Sequence, residues 1–291
     1  MLCRSWREPM SRTACARTCA SLVTIALLTS SQLLGCASSS STLKTEATAQ
    51  AKSAAPIFLW TLSKDGKPGR AHLYGSVHLK PSGQESVDRA VTRTFDAATD
   101  LVFEADPSPE NAAAIQQTVQ ALSTYPEGET LRDHIPPELF EQLKEVSTPI
   151  MGFPEAALER LKPWLLSIMM EVYVAAKLGF KQESGTEQWA LRRAGGKKTI
   201  HELEGAEAQL RLFASLPKEA QIDQLREILD TIEEAPGKLQ KLIDLYEAGD
   251  ESSLAEHLFE TREENPSSEL LFERFFFERN QKMAVKIDEL M

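Results

Sequence analysis

His72-Leu73-Tyr74-Gly75-Ser76-Val77-His78 and Asp100-Leu101-Val102-Phe103-Glu104, with the stretch from Ser86 to Ala98 between them, decide the fold. The first run mixes apolar and aromatic residues and closes on small ones, as a strand entering a tight loop does. Ser86 to Ala98 carries its apolar residues at helical spacing. The second run is short, apolar and ended by an acid, with Pro107 soon after, the pattern of a buried strand. Strand, helix, strand is the order of a βαβ unit, and it points to a mixed α/β protein.

Working outward, Phe58-Leu59-Trp60-Thr61-Leu62 forms a hairpin with the His72 run, with Asp65-Gly66 as its turn signal. Downstream, Asn111 to Leu122, Pro137 to Glu145, Pro163 to Leu178 and Thr186 to Ala194 read as helices. Gly195-Gly196 breaks that pattern before another strand, Lys198-Thr199-Ile200-His201-Glu202-Leu203, and helices follow to the end. The apolar run Leu165-Leu166-Ser167-Ile168-Met169-Met170 is too short for a membrane span and reads as a buried core helix. The expected architecture is α/β of mixed α+β character: a central mixed or parallel sheet, flanking helices and a large helical subdomain.

A chain of 291 residues, 42% hydrophobic and 26% charged, is neither disordered nor a many-span membrane protein. Its formal net charge of −11 repels phosphate backbones, so no nucleic-acid partner is expected. All cysteines, Cys3, Cys15, Cys19 and Cys36, precede the body, which leaves His and carboxylates as the metal-ligating types within it. Arginines 4, 7, 12 and 17 precede the apolar run Ala20 to Leu28, the layout of a secretory signal, for which Met10 is an alternative start.

Leu33-Leu34-Gly35-Cys36 resembles the lipobox of bacterial lipoproteins, which implies lipidation of Cys36 and a lasting membrane anchor. Residues 1–35 are then the signal, 36–55 the lipidated Cys and a polar tether, and 56–291 the folded domain. For a Gram-negative source, the absence of Asp after Cys36 implies the outer membrane, with the body facing the periplasm.

In open α/β sheets ligands bind beyond the carboxyl ends of strands, and an ionisable residue stands at three such ends: His78, Glu104 and Glu204. A His after Gly75-Ser76-Val77 is placed for acid–base work or metal ligation, although a lone His at a strand end is more often a structural histidine. Glu104 follows an apolar run that desolvates it, although acids also end strands for ordinary turn chemistry. A helical reading sets Phe272, Phe276, Arg279, Met283, Ile287 and Leu290 on one stripe, so Arg279 interrupts an apolar face. Such an arginine either meets an anionic partner or snorkels to water. His72, His134, His201 and His257 have no ligand-like spacing and read as structural or surface residues.

The series Leu59-Trp60, Leu73 to His78, Leu101 to Glu104, Gly185-Thr186-Glu187-Gln188, Leu203 to Leu210 and Glu278-Arg279-Asn280-Gln281 resembles the TraB/GumN family over roughly residues 57 to 290. That family looks related to the animal Tiki proteases, so the resemblance implies metal-assisted peptide hydrolysis. It further implies a divalent cation, Mn, Co or Zn, held by His78, Glu104 and Glu204. Glu104, Glu204 and Arg279 are implied as catalytic, with Gly75, Glu187 and Asn280 as secondary members. Glu187 stands where the family often has Asp.

The family normally carries a second Gly-x-x-His after the Glu-Arg-Asn helix, and none follows Asn280 before Met291. A domain short of that motif, and hence of a metal ligand, is expected. Two readings follow: a membrane-tethered metal-dependent peptide hydrolase, or a non-catalytic lipoprotein that binds a peptide or protein partner.

Overall fold

The computed structural model describes residues 58–64, 70–259 and 266–291. The signal, Cys36, the tether and the Asp65-Gly66 turn lie outside the described residues.

Strands β1 (Leu59–Ser63) and β2 (Arg70–Tyr74) pair antiparallel, with Leu59 opposite Tyr74 and Ser63 opposite Arg70. This is the expected hairpin pairing. Strand β3 (Lys80–Pro81) follows, then helix α1 (Arg89–Ala97), capped by the Asp88 carboxylate on the Ala90 N–H. Strand β4 (Asp100–Phe103) leads to α2 (Ala112–Ser123), α3 (Pro137–Met151), α4 (Glu155–Leu158) and α5 (Pro163–Lys177). Strand β5 (Phe180–Lys181) pairs with β3, and α6 (Thr186–Ala194) ends at Gly195 before β6 (Thr199–Glu202). Helices α7 (Ala206–Ala214), α8 (Lys218–Asp230), α9 (Ala235–Ala248), α10 (Glu251–Leu258), α11 (Pro266–Phe272) and α12 (Arg279–Leu290) complete the described elements.

The mixed α/β class holds, with one correction to the sheet. Among the described residues the strands form three two-stranded ladders, β1–β2, β3–β5 and β4–β6, where a single central sheet was expected. The parallel partner of β4 is therefore β6, with Phe103 opposite Glu202, and not β2. The crossover between them spans α2 to α6 instead of one helix, which no local pattern announces.

Helix α5 organises the helical subdomain. Leu166 and Met170 pack with Phe140, Leu143, Leu225 and Leu229, while Trp164, Leu165 and Ile168 pack with Leu210, Phe213 and Phe275. A helix apolar on both faces must sit between two layers, and this one does. Each such large side chain contributes about 1.5–3 kcal/mol by leaving water. The expected core helix is thus confirmed, and no described helix is long and apolar enough to cross a membrane. Two polar atoms on this helix, Trp164 Nε1 and Glu171 Oε2, are buried without a hydrogen-bond partner among the described residues.

The last helices depart from the expected stripe. Residues Glu273–Glu278 form a π-helical turn between α11 and α12. That wider turn shifts the register, so Phe275, Phe277, Arg279 and Met283 are buried, while Phe272 and Phe276 are half-buried against Phe259 and Leu290 is exposed.

Candidate functional site

Beyond their ends β4 and β6 continue side by side. Leu203 N–H donates to the Phe103 carbonyl at 2.8 Å, and the N–H groups of Glu204 and Gly205 both donate to the Glu104 carbonyl at 2.9 Å. Gly205 turns the chain into α7 at φ 93°, a left-handed conformation that a side chain disfavours. The two carboxylates at the strand ends are thereby neighbours.

Arg279 joins them. Its Nε donates to Glu204 Oε2 at 2.9 Å, and its Nη2 donates to Glu204 Oε2 at 2.6 Å and to Glu104 Oε2 at 2.8 Å. Nη1 donates to the carbonyl of Phe275, inside the π turn, at 3.3 Å. The guanidinium is 4% exposed, Glu104 21% and Glu204 11%. Burial alone disfavours the cation, but its hydrogen bonds to Glu204 and the charge of both carboxylates hold the Arg279 pKa above its ordinary value. Gln209, which the sequence reading did not single out, donates from Nε2 to Glu204 Oε2 at 3.3 Å.

His78 arrives through a clamp that the Gly185-Thr186-Glu187 motif builds. Thr186 N–H donates to the Val77 carbonyl at 2.9 Å, and Thr186 Oγ1 accepts from the Val77 N–H at 3.0 Å while lying 3.1 Å from the same carbonyl. Gly185 lies so close to His78 that a Cβ there would fall 2.1 Å from the His78 carbonyl oxygen. Glu187, next in line, reaches His78 Nδ1 at 3.1 Å. Burial opposes a charge on this imidazole, yet Glu187, with Glu104 behind it, outweighs burial and the repulsion of Arg279, and the His78 pKa is raised. Burial likewise opposes the Glu187 carboxylate, but His78 and the Ser76 hydroxyl hold its pKa well below the usual range.

Gly75 is fixed from a helix that sequence reasoning left out. Tyr246 of α9 stacks on Phe58, with centroids 5.2 Å apart, and donates its hydroxyl hydrogen to the Gly75 carbonyl at 2.6 Å. No spacing in the chain links residues 75 and 246, so only the fold could reveal this contact. His72 and His201 stay outside the cluster, bonded to Thr61 and Asp100. Asn280 lines the cleft described next, beside His78, Glu104 and Glu187.

That cleft measures about 1230 Å³ and is bordered by β2, β4 and α12. The sequence-predicted residues thus fall into two joined groups, a His78–Glu187 pair and an Arg279–Glu104–Glu204 triad, rather than one ligand sphere. Among the described residues no three His, Cys, Asp or Glu side chains form a group that could hold a metal ion. Glu104 and Glu204 turn their oxygens to a guanidinium, whose charge opposes a second cation at the same atoms. The arrangement does not fit the implied ligand set His78, Glu104 and Glu204, because arginine takes the place on the carboxylates that a cation would need.

An α/β scaffold with acid, base and cation gathered at strand ends defines a class of protein, and the comparison with known families narrows it. The chain matches the TraB/PrgY/gumN family over residues 58–291 and belongs to that family. No curated protein and no solved structure matches it.

Proposed function

We propose that the protein is a peptide hydrolase of the TraB/PrgY/gumN family, tethered to a bacterial envelope membrane through Cys36. Supporting this is one observation above the rest: three distant parts of the chain bring His78, Glu104 and Glu187 to the lining of one large cleft, and Glu104 joins the Arg279–Glu204 pair to it. Buried ionisable groups with opposed pKa shifts cost stability, and their convergence at a cavity is the usual mark of a catalytic site.

In this reading Glu187 fixes the imidazole through Nδ1 and leaves Nε2 to handle a proton. Neutral His78 takes a proton from water as its oxygen adds to the peptide carbonyl carbon. The resulting imidazolium, stabilised by Glu187, returns the proton to the leaving amine. Arg279 holds the two strand-end carboxylates in place. No step runs through a metal, since among the described residues the side chains do not form a site for one.

The test is cleavage of a mixed peptide library by the protein and by His78→Ala and Glu187→Gln. Loss of turnover by about 10²-fold or more in His78→Ala is expected. Retained activity in EDTA is expected as well. Loss in EDTA with recovery in Mn²⁺, Co²⁺ or Zn²⁺ would mean that the side chains rearrange around a cation. Peptide binding without turnover would leave the non-catalytic, partner-binding reading.

A further inference from the structure

The loop that carries His78 is held by its backbone at alternate residues. Thr186 pins both backbone groups of Val77, and those of Gly75 are pinned as fully: its N–H donates to the Phe58 carbonyl at 2.8 Å, and its carbonyl accepts from the Tyr246 hydroxyl at 2.6 Å. Ser76 and His78, between and after these two, line the cleft and meet Glu187. Only two soft dihedrals per residue separate them from the pinned groups, so the grips at 75 and 77 decide where their side chains emerge.

The grip on Gly75 is closely built. A Cβ there would fall 2.9 Å from the Phe58 Cβ, so the glycine lets the loop lie against Phe58. The Phe58 ring in turn stacks on Tyr246, with planes 15° apart, and sets the direction of the phenol. Tyr246 has one hydroxyl hydrogen and a carbonyl only accepts, so the 3.1 Å contact between the Tyr246 and Tyr74 hydroxyls is made with the Tyr74 hydrogen. The bonds therefore run from Tyr74 to Tyr246 to Gly75. Burial holds the pKa of both phenols above its ordinary value, which keeps both hydrogens in place.

Helix α9 buries none of its residues fully, yet the tip of Tyr246 ends on the backbone three residues before His78. We propose that Tyr246 is a positioning residue for His78, whose hydroxyl fixes the Gly75 carbonyl and, through it, the orientation in which the imidazole meets Glu187. This deepens the hydrolase reading and rests on it where turnover is the readout. Without the hydroxyl the loop is free to pivot about Val77, and the 3.1 Å approach of His78 Nδ1 to Glu187 is one geometry among several. A displacement of about 1 Å at a reacting group lowers a rate by about 10²-fold. Phenylalanine at 246 keeps the stack on Phe58, so that substitution removes the grip and leaves the packing.

The experiment uses the full chain in detergent, isotope-labelled at its histidines, as wild type, Tyr246→Phe and Tyr125→Phe. Tyr125 packs against the helical core and controls for the loss of a phenol hydroxyl. Turnover is read on a peptide cleaved in the library test. The Nδ1–H that Glu187 accepts is read as a downfield proton resonance, assigned by its absence from His78→Ala. In Tyr246→Phe, kcat should fall about tenfold to a hundredfold with KM within about twofold. The resonance should broaden or vanish, while Tyr125→Phe matches the wild type in both. Tyr74→Phe, which withdraws the hydrogen given to Tyr246, should move both readouts the same way by less, and it decides the matter if Tyr246→Phe fails to fold. An unchanged kcat, a change confined to KM, a resonance that persists unaltered, or a wild type without it would overturn the proposal. A wild type that cleaves no peptide ends the hydrolase reading, and the resonance then decides alone: its loss in Tyr246→Phe upholds the positioning role and its persistence overturns it.

Discussion

Two arginines in this molecule each gather carboxylates, and their surroundings make them opposites. Arg132 meets Glu141, Glu155 and Glu159 at the surface, 40% exposed, with its guanidinium 3.7 Å above the Phe140 ring. Arg279 meets only Glu104 and Glu204, yet is 4% exposed. The first has more partners and the second matters more. Water and salt already solvate the Arg132 group, so each ion pair there replaces something nearly as good. Around Arg279 water is excluded, and removing the guanidinium leaves two carboxylates with no cation to answer them.

The sharpest way to break that contrast is Arg279→Met. It should cost about 3–5 kcal/mol in urea unfolding, because Glu104 and Glu204 are then buried side by side without a cation. Adding Glu104→Gln and Glu204→Gln to the same chain should recover a large part. A loss indistinguishable from that of Arg132→Gln would end the argument.

Next in size is Gly185→Ala. A methyl group 2.1 Å from the His78 carbonyl oxygen forces the clamp apart, at about 1–3 kcal/mol. Turnover should fall further than stability alone explains, which peptide cleavage below the unfolding transition would reveal.

Titration sharpens the comparison, since the surface cluster and the buried pair should respond differently. His78 has a pKa raised above its ordinary 6.5, so its contribution is full below that pH and is lost as pH rises through the raised value. Glu187 lies below its ordinary 4.5, so its contribution is full above that pH and is lost as pH falls through the depressed value. The pair stabilises most between pH 4.5 and 6.5. Activity, which needs neutral His78, should instead climb through the raised pKa, and Glu187→Gln should bring that climb to lower pH.

Glu171 runs the other way. Burial, with Glu227 nearby, pushes its pKa up to about 8 from 4.5, so stability is full below pH 4.5 and declines until about pH 8. The slope is at most about 1.4 kcal/mol per pH unit, and Glu171→Gln should flatten it in a series of urea midpoints. Smallest of all, Arg132→Gln should move a thermal midpoint less than any variant above.

The four longer strands, several helix starts and the three strand-end acids and bases were legible in the sequence because they rest on local chemistry, while the two-residue strands Lys80–Pro81 and Phe180–Lys181 were not. Pro137 and Pro163 open α3 and α5, and Gly195 closes α6, as residues with one preferred backbone role should. The position of Arg279 on an apolar stripe left an anionic partner or a snorkelling head as its two outcomes, and the structure supplies two anionic partners. What escaped was contact between distant segments. Nothing in Gly185-Thr186-Glu187 tells that its glycine must press against His78, and nothing in Tyr246 points to Gly75. The division of one expected sheet into three ladders escaped for the same reason, since pairing is decided between segments that do not adjoin in the chain.

The π turn at Glu273–Glu278 makes the site a matter of counting. A turn of this kind holds one residue more than an α-helix would use, and each residue advances a helix by about 100°. Deleting a single residue there would rewind the segment and swing Arg279 about a quarter of a circle away from both carboxylates. Every charged group would still be present, and the electrostatic balance of the site would be gone. The site thus depends on the residue count of that segment as much as on the arginine itself.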